Sequence, residues 1–280
     1  MKHTLHRFLF FSLALVVLGP GACSQTEEAE QKQPTIEELL SPTNEEKEAL
    51  AVYEKFLQQA KQGDSMAQYF VGLMCRNGVG SPQNFQEAIK WFRKAADQGN
   101  PRAQGMLGGM YAFGQGVPQD YQEAAKWNRK AAEQGDAIAQ GMLGSMYSQG
   151  QGVSKDYQEA LKWFRKAADQ GNAYAQYNLG LMYYNGERVP QDYQEALKWF
   201  RKAADQGNVR AQNALGVMYH FGKGVPTDYV LAYMWCSLAA ADLTGESREK
   251  IVEMLDDLEK KMTPEQLAEA QRLAREWKPE

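Results

Sequence analysis

The sequence predicts an all-α fold, a right-handed α/α solenoid of five 36-residue repeats with helical caps, and three observations predict it. Trp91, Trp127, Trp163, Trp199 and Trp235 stand 36 residues apart, and Gln68, Gln104, Gln140, Gln176 and Gln212 keep the same period, as do Gly72, Gly108, Gly144, Gly180 and Gly216. Segments 156–172 and 192–208 are identical. Within a period, apolar residues recur at helical spacing, as Ala103, Leu107, Met110 and Tyr111 do at i, i+4, i+7 and i+8. A period of this length held five times marks stacked helical units, each burying its apolar face on the next, rather than one compact core.

The elements follow in chain order. Residues 1–22 read as a signal peptide: Lys2 and Arg7 precede the apolar run 8–18, which Ser12 alone interrupts. That run is too short for a bilayer span, which needs about 20 residues. Its removal takes away two positive charges, so the formal net charge of −4 becomes −6. Residues 23–43 read as a flexible acidic tether, with Glu27, Glu28, Glu30, Glu37 and Glu38 against Lys32 and almost nothing apolar to bury. Residues 44–62 read as an N-terminal capping helix, a degenerate second helix in which Phe56 and Ala60 align with Phe92 and Ala96.

Residues 63–243 hold the five repeats, each a helix A and a helix B. In repeat 2 helix A ends at Gly114, with Gly116 and Pro118 in the turn. Asp120 caps helix B, and Glu123 three residues later suggests an acidic capping box. Tyr121, Ala124, Trp127 and Ala131 form its apolar stripe, and Lys126, Arg129 and Lys130 its wet side. In repeat 4 Arg188 replaces the second turn glycine. In repeat 5 helix B loses its polar face to Val230, Leu231, Met234, Ser237 and Leu238. Something must cover that face. Residues 244–280 are expected to supply two capping helices, the second starting at Thr263-Pro264.

Composition excludes several functions. A chain with 31 basic and 35 acidic residues is a poor nucleic-acid binder. Once the leader is removed only His220 remains of three histidines, which argues against His-based triads and His-rich metal sites. Three cysteines are too few for a disulfide scaffold. Cys75 and Cys236 fall in the first and last repeats, too far apart to bridge, and read as buried free thiols. No nucleophile is paired with a base, and no cofactor or metal ligand set is visible. The Trp series occupies one core position in every repeat and reads as packing, not as a ligand cage.

Two resemblances follow, the first highly specific and the second a partial match. Ala-x-Ala-Gln-x-x-Leu-Gly-x-Met-Tyr-x-x-Gly at 173–186, followed by Val-Pro-x-Asp-Tyr-x-Glu-Ala-x-Lys-Trp-Phe-x-Lys-Ala-Ala at 189–204, resembles the Sel1-like repeat, a relative of the tetratricopeptide repeat. The likeness covers roughly residues 63–243 in five copies. It implies an adaptor that assembles protein complexes. Cysteine-rich relatives carry a disulfide in each repeat, and some are described as penicillin-binding or β-lactam-hydrolysing; this chain lacks those cysteines, so that activity is not carried over. The stretch Gly19-Pro20-Gly21-Ala22-Cys23 resembles a bacterial lipoprotein signal, with Pro20 where an aliphatic residue is usual. It implies lipidation at Cys23 and an outer-membrane lipoprotein facing the periplasm. The alternative is ordinary cleavage near Ala22 or Cys23 and a soluble periplasmic or secreted protein.

A projection at 100° per residue places the non-core face of helix A at the positions of residues 66, 69, 73 and 76. The candidate partner-binding residues there are Met66, Tyr69, Arg76, Arg102, Tyr174, Tyr177, Tyr184, Arg210, Asn213 and His220. Tyr and Arg are favoured at binding hot spots. The middle repeats offer Gly105, Gly109, Gly141, Ser145 and Ser148 instead, so the expectation is a groove, shallow-walled at its centre and anchored by aromatics and arginines at its rims. The leading reading is a non-enzymatic adaptor that binds a protein segment at the cell envelope. Cell-wall glycan binding is the alternative, and a hydrolase acting on cell-wall or β-lactam substrates the remoter one.

Overall fold

The structure is a computed structural model, and it describes residues 43–186 and 189–279. The leader, the tether up to residue 42, Cys23 and Arg188 lie outside the described residues. Among those described there are thirteen α-helices and no strand. They belong to one compact unit beginning at Asn44. Helix α1 is Asn44–Lys61. The A helices are α2 (Ser65–Asn77), α4 (Pro101–Phe113), α6 (Ala137–Gln149), α8 (Ala173–Asn185) and α10 (Val209–Phe221). The B helices are α3 (Phe85–Asp97), α5 (Tyr121–Glu133), α7 (Tyr157–Asp169), α9 (Tyr193–Asp205) and α11 (Tyr229–Asp242). Helices α12 (Gly245–Lys261) and α13 (Pro264–Glu276) close the C-terminal end.

Each boundary has a chemical cause. The A helices start at Asp64, Asn100, Asp136, Asn172 and Asn208, whose side chains accept from the backbone N–H of Ala67, Ala103, Ala139, Ala175 and Ala211. They end at glycines in the left-handed region, such as Gly114 at φ 65°, whose N–H donates to Met110 O. The B helices start at Asn84, Asp120, Asp156, Asp192 and Asp228. The expected reciprocal box at Asp120 takes a different form. Asp120 Oδ1 accepts from Gln122 N and Glu123 N, but the Glu123 carboxylate pairs with Lys126 Nζ at 3.0 Å. A cation one turn away attracts a carboxylate more strongly than a neutral N–H does. The two-way box occurs at Thr263 and Gln266.

Close helix approach fixes two kinds of glycine. A β-carbon on Gly180 would lie 2.6 Å from the Phe200 ring, and one on Gly152 only 1.9 Å from the carbonyl oxygen of Tyr121. The first lets helix A lie flat on helix B. The second brings one repeat's turn against the N-terminus of the preceding B helix. The Trp series is buried throughout, from 7% exposed at Trp91 to 1% at Trp235. Consecutive helices pack pairwise from α1 to α12, and α13 packs back on α11. In addition the backbones of α4 and α6, and of α6 and α8, approach one another directly, which those of the intervening B helices do less. The A helices therefore line the tighter side of the stack.

Both ends are covered. Tyr53, Phe56 and Leu57 of α1 join the core of the first repeat, with Phe56 and Phe70 ring centroids 5.1 Å apart. At the other end Met254, Leu255, Met262 and Leu267 pack over Val230 and Tyr233, while Leu273 and Trp277 join Met234 and Trp235. The Tyr233 hydroxyl donates to Glu259 Oε1 at 2.8 Å. Cys75 and Cys236 are buried and free. Burial pushes the Cys236 thiol up to about 12, so it stays protonated.

Candidate partner-binding face

All ten candidate residues lie on A helices, and their surroundings divide them into groups. Met66, Arg102, Tyr174 and Arg210 are exposed, as is Ile138 at the same position in repeat 3. Met66 Sδ accepts from Asn100 Nδ2 at 3.5 Å, which draws it toward the next repeat.

Tyr69 and Tyr177 are half-buried on the B-helix rings beneath them. Tyr69 lies 6.0 Å from Phe92, and Tyr177 lies 5.8 Å from Phe200, between ring centroids. Burial raises the pKa of both phenols, opposed by Arg102 beside Tyr69 and by Arg210 beside Tyr177. Tyr69 also feels Asp136 and Arg76. Tyr184 stacks edge-on to Tyr193 at 5.2 Å. Two clusters result. Tyr69, Arg76 and Arg102 gather at repeats 1–2, and Tyr174, Tyr177, Tyr184 and Arg210 at repeats 4–5.

Asn213 and His220 differ from the other eight in having a buried, unpartnered polar atom. Asn213 Oδ1 is buried with no hydrogen-bond partner. The His220 side chain is only 7% exposed, with Nε2 3.7 Å from Asp257 Oδ2 and Nδ1 buried and unpartnered. Its ring packs on Phe221 and Tyr229. Burial lowers its pKa, Lys261 lowers it further, and Asp257 opposes both. The apolar α11 and its covering helix take in this side chain.

The centre of the face holds a second difference. Tyr174 of repeat 4 lies across Gly141 of repeat 3, since a β-carbon on Gly141 would be 3.5 Å from its ring. Its hydroxyl donates to Ser145 Oγ at 3.0 Å, and its ring meets Phe164 edge-on at 6.4 Å. Repeat 3 is therefore roofed by its neighbour. Repeat 2 is not: a β-carbon on Gly109 would meet nothing within 4 Å, and one on Gly105 only Ala139 Cβ and Asp136 Oδ1 at 3.8 Å. Only this part of the face has the shallow floor expected for the whole centre.

The opposite side carries a repeating surface that is self-satisfied. Lys90, Lys126, Lys162 and Lys198 pair with Glu87, Glu123, Glu159 and Glu195. Lys94, Lys130, Lys166 and Lys202 lie 4.2–4.6 Å over the Trp rings of their own helices. Arg93, Arg129 and Arg165 donate to the hydroxyls of Tyr111, Tyr147 and Tyr183 of the next repeat. Shallow clefts beside a B helix, one lined by Lys126, Arg129, Glu133 and the turn at Gly152, the other by Lys198, Arg201 and Tyr219 of the next A helix, have no enclosed chemistry.

The glutamine series has a structural role that period alone did not reveal. Gln104 Nε2 donates to Ala96 O at 3.1 Å, and its Oε1 accepts from Gln134 Nε2 at 2.7 Å. The same pair recurs as Gln98–Gln68, Gln170–Gln140 and Gln206–Gln176. In the last repeat Gln212 Oε1 has no partner, because Asp242 stands where the next glutamine would. Among the described residues no group of three His, Cys, Asp or Glu could hold a metal ion, and no helix is long and apolar enough to cross a membrane.

The Sel1 repeat model matches at 65–100, 101–136, 137–172, 173–208 and 209–242, well over half the chain and in the same frame as the helix pairs. The chain belongs to the Sel1-repeat family. Two solved structures are similar. One is a protective antigen of uropathogenic Escherichia coli strains displaying an SLR fold, 38% identical with a TM-score of 0.74 over 80% of this chain and 48% of that one. The other is a Sel1 repeat protein from Oxalobacter formigenes, 38% identical with a TM-score of 0.66 over 70% of this chain and 80% of that one. The chain spans about half the length of the Escherichia coli antigen. No curated protein sequence matches it significantly. Sel1-repeat proteins generally mediate protein–protein interaction, and the family is mostly one of non-enzymatic adaptors.

Proposed function

We propose that this Sel1-repeat protein is a non-enzymatic adaptor of the bacterial cell envelope, holding a segment of a partner protein along its A-helix face. The observation that carries the reading is the division of labour between positions. Gln, Gly and Trp recur unchanged inside every repeat, while on the A helices most of the positions that differ between repeats lie on the face turned away from the B helices. Solenoids bind along such extended faces. Exposed Arg102, Tyr174 and Arg210 supply the residue types that dominate protein interfaces. The leader and Cys23 support an exported chain tethered by lipid, facing the periplasm from the outer membrane.

A crosslinked pull-down from envelope extract tests the reading. The chain is compared with an Arg102→Glu, Arg210→Glu variant and with a Lys126→Glu, Lys198→Glu control on the opposite side. All four positions are exposed, so neither variant should unfold. A prey lost only with the arginine pair is the expected result; the same prey list for all three proteins overturns it. Cys23→Ser should move the protein from the membrane to the soluble fraction, and unchanged membrane association would refute the anchor.

A further inference from the structure

Four repeats can be compared at one spot, where the groove side of an A helix meets the ring of its B helix. In repeat 1 Tyr69 lies on Phe92, and in repeat 4 Tyr177 lies on Phe200. In repeat 3, where Gly141 has no side chain, Tyr174 reaches over from the next repeat to meet Phe164. In each case the chain supplies an aromatic ring of its own. Repeat 2 supplies none. Gly105 and Gly109 leave the floor open, and Ile138, the residue in Tyr174's position, points into solvent at 69% exposure. The residue beneath has changed as well. Asn128 stands where the other three have Phe, packed against Gly108. It is 1% exposed, and its Oδ1 has no hydrogen-bond partner. A buried acceptor left unpaired costs stability unless something else satisfies it.

The geometry points to a subsite over Gly105 and Gly109 that takes one aromatic side chain, tyrosine or tryptophan, from an acidic partner segment. The claim rests on the groove reading above and narrows it to one place. The ring is the group that the equivalent places in repeats 1, 3 and 4 hold. In all three of those places the ring is a tyrosine's. Acidity follows from the rim. Arg76 and Arg102 flank Tyr69, and neither is held in an ion pair among the described residues. The nearby carboxylate, Asp136, is committed to capping Ala139 N at 2.8 Å. Exposed Ile138 adds an apolar wall.

The test pans a random 12-residue peptide library, displayed on phage, against the full chain. Enriched peptides are then titrated as synthetic peptides against two variants. Gly105→Tyr, Gly109→Leu gives repeat 2 the residues that repeat 4 carries at 177 and 181, so the helix is known to accept them. Arg210→Glu alters the groove two repeats away. The expected result is a set of peptides pairing Tyr or Trp with a neighbouring Asp or Glu, bound at least tenfold more weakly by the double variant and less than threefold more weakly by Arg210→Glu. Peptides weakened by Arg210→Glu but not by the double variant would overturn the subsite and leave the groove reading standing. Peptides indifferent to both variants, or no enrichment at all, would overturn both.

Discussion

Repeats 2 and 4 have the same backbone and opposite surfaces. Both start helix A at an asparagine cap, end it at a left-handed glycine, and bury Ala, Leu, Gly and Met at matching positions. Yet repeat 4 stacks Tyr177 on Phe200 and adds Tyr184, while repeat 2 has glycines over a buried asparagine. The fold is therefore held by a set of residues that the exposed face does not share. Each repeat can change what it presents without changing how it packs on its neighbours. Repeat 2 forgoes local stability in doing so, since two helical glycines and an unpaired amide oxygen are all unfavourable.

That separation can be broken at the shared positions first. Trp163 is buried and donates to Glu159 Oε2 at 3.1 Å. Trp163→Ala should cost about 3–5 kcal/mol in urea unfolding; a loss below about 1 kcal/mol would mean the Trp series does not hold the stack. Gln104→Ala removes the bonds to Ala96 and Gln134, and should cost about 1–3 kcal/mol. Gln212→Ala should cost less, because its Oε1 has no partner to lose. Equal losses would contradict the ladder.

Asn128→Phe sharpens the comparison in the other direction. It restores the ring that packs on Gly72, Gly144 and Gly180 in the other repeats, and should gain about 1–2 kcal/mol. A loss would show that repeat 2 is built around the amide. Reversing Arg102 and Arg210 should change stability by about 0.5 kcal/mol or less, since both are exposed.

His220 makes the C-terminal cap sensitive to acid. Its folded pKa lies below the ordinary 6.5, so the folded state holds the neutral ring. As pH falls below about 6.5 the unfolded chain binds a proton that the folded chain resists, and stability falls. Asp257, Lys261 and Tyr229 surround the ring. Amide protection factors in α12, taken relative to the intrinsic exchange rate at each pH, should fall between pH 7.5 and 5, and His220→Phe should abolish that part of the change. Protection that rises with acid would reverse the assignment.

Much of this was legible in the sequence because a repeat is read five times over. The Trp, Gly and Gln columns gave the helix pairs and the core, and the apolar Val230–Leu231–Met234 face announced a covering helix. What escaped were contacts between unlike residues of different repeats. Nothing in the period says that Tyr174 crosses to Ser145, that Gln134 reaches back to Gln104, or that α12 encloses His220. Those depend on how far one repeat is displaced from the next. The Asn128 signal was present as a break in the Phe92, Phe164 and Phe200 column, and became meaningful only once Gly105 and Gly109 were found uncovered above it.

The most direct test makes repeat 2 into repeat 4. Gly105→Tyr, Gly109→Leu and Asn128→Phe together supply the residues of positions 177, 181 and 200. Calorimetric melting, with and without a peptide selected on the unaltered chain, reads both faces at once. Without peptide the variant should melt higher by roughly 5 °C. With peptide the unaltered chain should shift upward and the variant should not. A variant that melts lower, or that shifts as much as the unaltered chain, would contradict the claim that repeat 2 trades stability for recognition.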